Sequence, residues 1–422
     1  MTTSRFLYRC MLSFAVGLSL TIAGQAQTPQ PASPPTLPLP LSARTVEKRT
    51  EPVRFPLDAR PHDASASIEW WYYWAFLKTE SGKDYAVIGS YFRTGIGEKK
   101  GHYLIHSLID LSAKKRYAAS ILDKSNLLLL KSFLPMAAMA KPDDPRPMQL
   151  LGMVQKGKLP QPHTALDSDA EVKKTPHFSI AMAGSSLIQT SEDARTWDSV
   201  TRGMDKANPF QLEMTLAQPT RPEMLAGSED GTGFLKKVDQ MYYLSLTRMN
   251  ATGSLTIGNA TEKVTGLGWI DRQWGSPGYI TNYGWDWFGL QLEDGSDLIF
   301  NRIRDAITGK VVEVQATILD KDGKQIVETP TIFKPLGLYN DKETGISFPA
   351  GFTVTLPKSG YTLEMRPAFA DQTIPVLGVG TAIWEGVVTA TGTRNGTPVT
   401  GRGFMELVGY QPSAVKANKT TK

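Results

Sequence analysis

Trp269-Ile270-Asp271-Arg272-Gln273-Trp274 is followed eleven residues later by Trp285-Asp286-Trp287, so two carboxylates sit among four of the chain's nine tryptophans. Trp is seldom fully buried and usually seeks a partner for its indole N–H. A carboxyl enclosed by such rings loses water, and its pKa climbs towards the range where it can give or take a proton at neutral pH. The stretch therefore reads as a polar-lipped aromatic cavity. Asp271 and Asp286 are its candidate acid and base, in either order. Trp269, Trp274, Tyr283, Trp285 and Trp287 are its candidate wall. His106 is a third candidate, able to accept a proton from water or to orient a carboxylate. Each has a structural reading beside the functional one: Asp271 satisfying turn amides or pairing with Arg272, His106 as a core histidine.

Strands must position these groups. Period two places Asp286 on one face with Phe288, Leu290 and Leu292, where an aspartate must be bonded, paired or facing a cavity. The Asp294-Gly295 turn leads to a strand whose Leu298, Phe300, Arg302 and Arg304 share a face, so an arginine can meet Asp286 across the hairpin. His102, Leu104, His106, Leu108 and Asp110 share another face. His102-x-x-x-His106 has metal-ligand spacing for a helix, but the local pattern is strand, and no metal or other cofactor is expected.

Turn signals at Gly82-Lys83, Asp294-Gly295, Thr308-Gly309 and Asp322-Gly323 separate extended runs at 85–93, 102–110, 285–292, 297–305 and 310–320. This is the pattern of an all-β, antiparallel protein with few helices. It does not separate a sandwich from a barrel. Residues 122–140 form a candidate helix interrupted by Pro135, and 140–174 read as loop or insertion. Residues 1–26 read as a signal peptide, with Arg5 and Arg9 before an apolar run at 11–22, and 27–44 as a flexible leader. A first domain is expected over 45–255, a second over 256–415 and a loose tail over 416–422. The single cysteine, Cys10, lies in the signal, so the exported chain has no thiol chemistry. The expected location is secreted or periplasmic. Net charge is +5 with scattered bases, which argues against a nucleic-acid partner. No segment after the signal is apolar enough to span a bilayer. No Gly-x-Ser-x-Gly elbow is present, which disfavours classical serine hydrolysis. Nothing requires an oligomer, and a monomer suffices.

Several blocks occur in order: Glu69-Trp70-Trp71-Tyr72-Tyr73, His106 with Asp110, Tyr242–Arg248, Gly266–Gly275, Gly284–Phe288, Trp384-Glu385-Gly386 and Gly401–Tyr410. Together they resemble the AttH-like, or carotenoid 1,2-hydratase-like (CrtC-like), group, often labelled predicted secreted hydrolases, over roughly residues 55–412. The resemblance implies two tandem lipocalin-like antiparallel β-barrel domains with a pocket near their junction. It also implies a hydrophobic small-molecule partner and, for some members, addition of water across a C=C bond of an isoprenoid-like compound. In that chemistry Asp271 would protonate the alkene, the indole and phenol faces would stabilise the cation, and a second carboxylate or His106 would help water add. A carrier of a hydrophobic ligand and a hydrolase on the same scaffold are the competing readings. The aromatic run around Trp71 and Tyr73 then packs a core on one face and meets the other barrel or a ligand on the opposite face. Glu69 caps a pocket or pairs with an arginine. Trp71, Tyr73 and Arg304 are further candidate pocket residues; Arg304 and Arg248 also read as buried pair partners, and Trp384, Glu385, Glu406 and Tyr410 as closing-strand architecture.

Overall fold

The computed structural model describes residues 51–140, 146–218, 220–235, 241–276, 283–305, 308–378 and 380–410. The expected signal, leader and tail lie outside the described residues. Two predominantly antiparallel sheets dominate, one of 13 strands and one of 10. The spatial order at the centre of the first is Lys99–Asp110, Asp84–Ile96, Ile68–Thr79, Ala260–Gly275, Met241–Ile257, Phe210–Ala217 and Thr196–Arg202. The centre of the second runs Asp297–Asp305, Tyr283–Leu292, Thr397–Val408, Gly380–Arg394, Tyr361–Pro367 and Phe352–Leu356.

Ile68–Thr79 shows why both faces of these strands are aromatic. Trp71, Tyr73, Ala75 and Leu77 point into one core, whereas Tyr72, Trp74 and Phe76 point into another. On the first face the sheet curls over itself. Trp71 stacks on Phe178 at 4.5 Å, and the Tyr73 hydroxyl lies 2.7 Å from that of Thr201, four strands away in the same sheet. The second sheet curls likewise, with Phe288 edge-on to Phe352 at 5.2 Å. The result is two half-barrels, and among the described residues the strand pairing of each runs from edge to edge without closing. The outer face of one meets the outer face of the other. Tyr72, Trp74, Trp269 and Tyr243 there join Trp287, Ile299, Ile383, Val387, Phe404 and Val408 in a shared core.

Ala260–Gly275 lies inside the first sheet, paired with Ile68–Thr79 on one side and Met241–Ile257 on the other. The turn at Gly258, with φ +59°, is a hairpin within one sheet rather than a linker. The first sheet therefore extends to residue 275, beyond the expected boundary at 255/256. The candidate helix forms over Lys124–Ala140, and Pro135 lies inside it rather than ending it. Residues 146–174, expected as loop, contain the helix Arg146–Gln155 and the short strands His163–Ala165 and Glu171–Lys173. Leu151 and Val154, three residues apart, give that helix an apolar side buried in the shared core.

Candidate active site between the two sheets

A cavity of about 180 Å³ opens in the layer between the half-barrels. Trp70, Tyr72, Phe92, Tyr103 and Tyr243 come to it from the first sheet, and Tyr283, Trp285, Trp287, Ile383 and Val408 from the second. Three carboxyls break this apolar lining: Asp271, Glu385 and Glu406.

Strand register brings them together. Glu385 and Glu406 are direct cross-strand neighbours, and Glu406 also faces Trp287. Like charges directly opposed in a sheet are unfavourable, so this pair is stable only with at least one proton bound. Asp271 comes from the other sheet, opposite Tyr72 and Ser245. Its Oδ1 accepts from the Trp269 indole at 2.6 Å and from the Ser245 hydroxyl, and its Oδ2 accepts from Tyr243 at 3.0 Å. Tyr243 in turn accepts the Trp287 indole N–H at 2.8 Å, which locks the two sheets around this carboxyl. Tyr72 donates to Glu385 Oε1 at 2.7 Å, and Trp285 donates to Glu406 Oε1 at 2.9 Å.

Burial sets the protonation of the three. It pushes Asp271 up to about 7 against the pull of its three donors. Burial, opposed by Trp285, also brings Glu406 to about 7. Burial and the neighbouring Glu406 hold Glu385 well above the usual carboxylate range. Burial and Asp271 raise the Tyr243 phenol well above 10, so it stays a donor. The cavity can thus hold carboxylic acid and carboxylate side by side near neutral pH, as acid–base chemistry requires.

The structure separates the residues singled out in the sequence. Asp271, Tyr283, Trp285 and Trp287 line the cavity, and Trp269 touches it through Asp271. Asp286 does not line it. It lies fully buried in the second half-barrel, with Oδ2 bound to Arg302 at 2.6 Å and Arg304 at 3.2 Å and Oδ1 accepting from Tyr410 at 2.8 Å. The structure thus places Asp286 in an ion pair away from the cavity it was expected to share, because strand parity turns it to the opposite face from Trp285 and Trp287. Arg304, which also lies over the Tyr410 ring, is its pair partner rather than a pocket residue. His106 faces the interior of the first half-barrel, edge-on to Phe210, and burial lowers its pKa to about 4. It shares that face with Trp71 and Tyr73, on the far side of the sheet from Asp271, so neither it nor those two rings belongs to the cavity. Glu69 is an ion-pair hub: it meets Arg272 at 2.7 Å, Arg93 at 3.1 Å and the His62 ring at 2.9 Å. Burial raises its pKa, but Arg272, His62 and Arg93 outweigh that and hold the carboxyl far below its ordinary value. Trp274 stacks between His62 and Tyr242, away from the cavity.

Glu385 and Glu406, closing-strand architecture by the sequence pattern, line the cavity. Their signal was present in the parity that singled out Asp286. Glu385 shares a face with Ile383 and Val387, and Glu406 with Phe404 and Val408, all of them apolar and in the shared core. Tyr72 and Tyr243 carried no comparable signal.

The sequence profile described as AttH-like matches residues 164–410. No curated protein sequence matches the chain. Among solved structures, an AttH protein from Nitrosomonas europaea is 23% identical, covering 88% of this chain and 99% of its own, with a TM-score of 0.63. Kievitone hydratase from Nectria haematococca is 15% identical, covering 87% of this chain and 95% of its own, with a TM-score of 0.62. These two likenesses are likenesses of fold.

Proposed function

The chain belongs to the AttH-like family, and we propose that it is an enzyme that adds water to, or removes it from, a C=C unit of a hydrophobic small molecule by carboxyl acid–base chemistry. One observation carries this reading: Asp271, Glu385 and Glu406 converge on a single aromatic cavity in which burial raises all three pKa values. A cavity shaped only to hold an apolar ligand gains nothing from three desolvated carboxyls, each of which costs stability. The fold shared with a protein named as a hydratase makes water addition the first reaction to test.

The roles follow from the hydrogen bonds. Three carboxyls in one cavity do not all ionise, and the negative charge settles on the one with most donors. That is Asp271, with Trp269, Ser245 and Tyr243. Glu385 keeps its proton. Tyr72 occupies its Oε1, which leaves Oε2 to carry the proton. The alkene π pair takes that proton to form a C–H bond. The positive charge left on the neighbouring carbon lies against the faces of Trp285, Trp287 and Trp70. Water then forms the C–O bond and passes a proton to Asp271 or Glu406, so that the net change is addition of H₂O.

Incubation of the whole protein with unsaturated terpenoid probes, followed by mass spectrometry, tests this. The expected product has gained the mass of one water. Glu385→Gln and Asp271→Asn lower its rate by about a hundredfold or more, as loss of an acid or base does. A ligand recovered unchanged from wild type and both variants would sink the enzyme reading in favour of a carrier.

A further inference from the structure

From the helical insertion of the first half-barrel we infer a docking surface for an anionic lipid bilayer, placed beside the cavity that takes the apolar ligand. The helices Lys124–Ala140 and Arg146–Gln155 pack on each other, and the first also packs on the Lys99–Asp110 strand. Their inward side chains, Leu130, Leu134, Leu151 and Val154, join the shared core. Their outward side chains do not follow the usual rule for a surface helix. Leu128 is 52% exposed, Met139 70%, Met148 55% and Met153 36%. These are four of the eleven large apolar side chains exposed among the described residues. All four lie on two helices that pack on each other, so they are gathered in one region of the first half-barrel. Leu128 and Met139 are eleven residues apart, three helical turns, and share one side of their helix, with Lys124 one turn before Leu128.

Charge identifies the occupant. Neither helix contains Asp or Glu; the first carries Lys124 and Lys131, and Lys156 and Lys158 follow directly on the second. Lys124, Lys156 and Lys158 are exposed around the apolar side chains. A second copy of the chain would set two basic faces against each other, which is repulsive. An anionic membrane surface satisfies both features, because lysines meet headgroups while leucine and methionine enter the acyl boundary. The strand beneath the first helix supplies Tyr103 and Ile105 to the cavity wall. A water-insoluble substrate dissolved in a bilayer would thus be met beside the cavity rather than in bulk water.

The test does not depend on turnover. Cys10, the only cysteine, is replaced by Cys10→Ser in the full chain. A polarity-sensitive fluorophore is then attached through Met148→Cys, or through Leu338→Cys as a control. Leu338 is 69% exposed and lies in the second domain. Vesicles of phosphatidylcholine with about 30% phosphatidylglycerol should shift the emission to the blue at position 148 and not at 338. Pure phosphatidylcholine, or about 1 M salt, should abolish most of the shift. Lys124→Gln and Lys156→Gln should each weaken vesicle affinity about fivefold. Equal shifts at both positions, no shift at 148, or a shift that also appears without vesicles as protein concentration rises would overturn the inference. The last result would assign the patch to self-association.

Discussion

Asp271→Asn should stabilise the protein at alkaline pH while removing its activity. The folded state raises this carboxyl from 3.8 to about 7, with burial as the main cause. An acid whose folded pKa exceeds its unfolded value contributes stability below the unfolded pKa and loses it as pH rises to the folded one. The wild-type protein therefore loses stability between about pH 4 and pH 7 on account of this group. About three pKa units correspond to on the order of 4 kcal/mol. Asparagine keeps an oxygen to accept the Trp269 and Ser245 hydrogen bonds but never ionises. At pH 8 the variant should be more stable by an amount of that order, and below pH 4 the two proteins should converge. Urea titrations of both proteins across pH 4 to 9 measure the difference. A stability difference independent of pH would refute the claim that Asp271 is a desolvated, strained acid. A variant that still hydrates substrate would separately remove Asp271 from the chemistry.

Tyr243→Phe removes one donor from the Asp271 carboxylate and should move the acidic limb of the pH–rate profile upward by about one unit, the worth of one hydrogen bond to a charged group. An unmoved limb would dissociate Asp271 from that limb. Asp286→Asn leaves Arg302 and Arg304 in the second half-barrel without their carboxylate and should cost about 3–5 kcal/mol. The fraction that remains folded should bind ligand like wild type, and a selective loss of binding would return Asp286 to the site. Glu69 titrates in the opposite sense to Asp271. Its depressed pKa contributes stability that is present above 4.5 and lost as pH falls further, so Glu69→Gln should flatten the acid limb of a thermal-melt series.

Much of the scaffold was legible in the chain. The alternation through Trp70–Leu77, Trp285–Leu292 and Asp297–Asp305 specified strands, and the glycine-marked turns specified antiparallel neighbours. The Asp286–arginine pair was legible too, because a carboxylate on an apolar strand face opposite an arginine strand has few other stable environments. The same rule, applied to Glu385 and Glu406, points at the cavity. It was not decisive there, because parity says that a face is apolar and not what lies against it. His106 illustrates that limit from the other side: its face is apolar as expected, yet it looks into the first half-barrel.

The sequence by itself determined which side chains share a face, since that follows from the two-residue period of a strand. It also marked residues 122–140 as a candidate helix, although the helix after it and the outward apolar side chains of both appear only in the fold. Only the tertiary structure decided which faces meet. Curling turns Trp71, Tyr73 and His106 inward on one sheet and Asp286 inward on the other, and leaves Asp271, Glu385 and Glu406 on the outer faces that pack together. Residues more than a hundred positions apart then share one desolvated space. Their protonation depends on that mutual distance and burial, which no local pattern encodes.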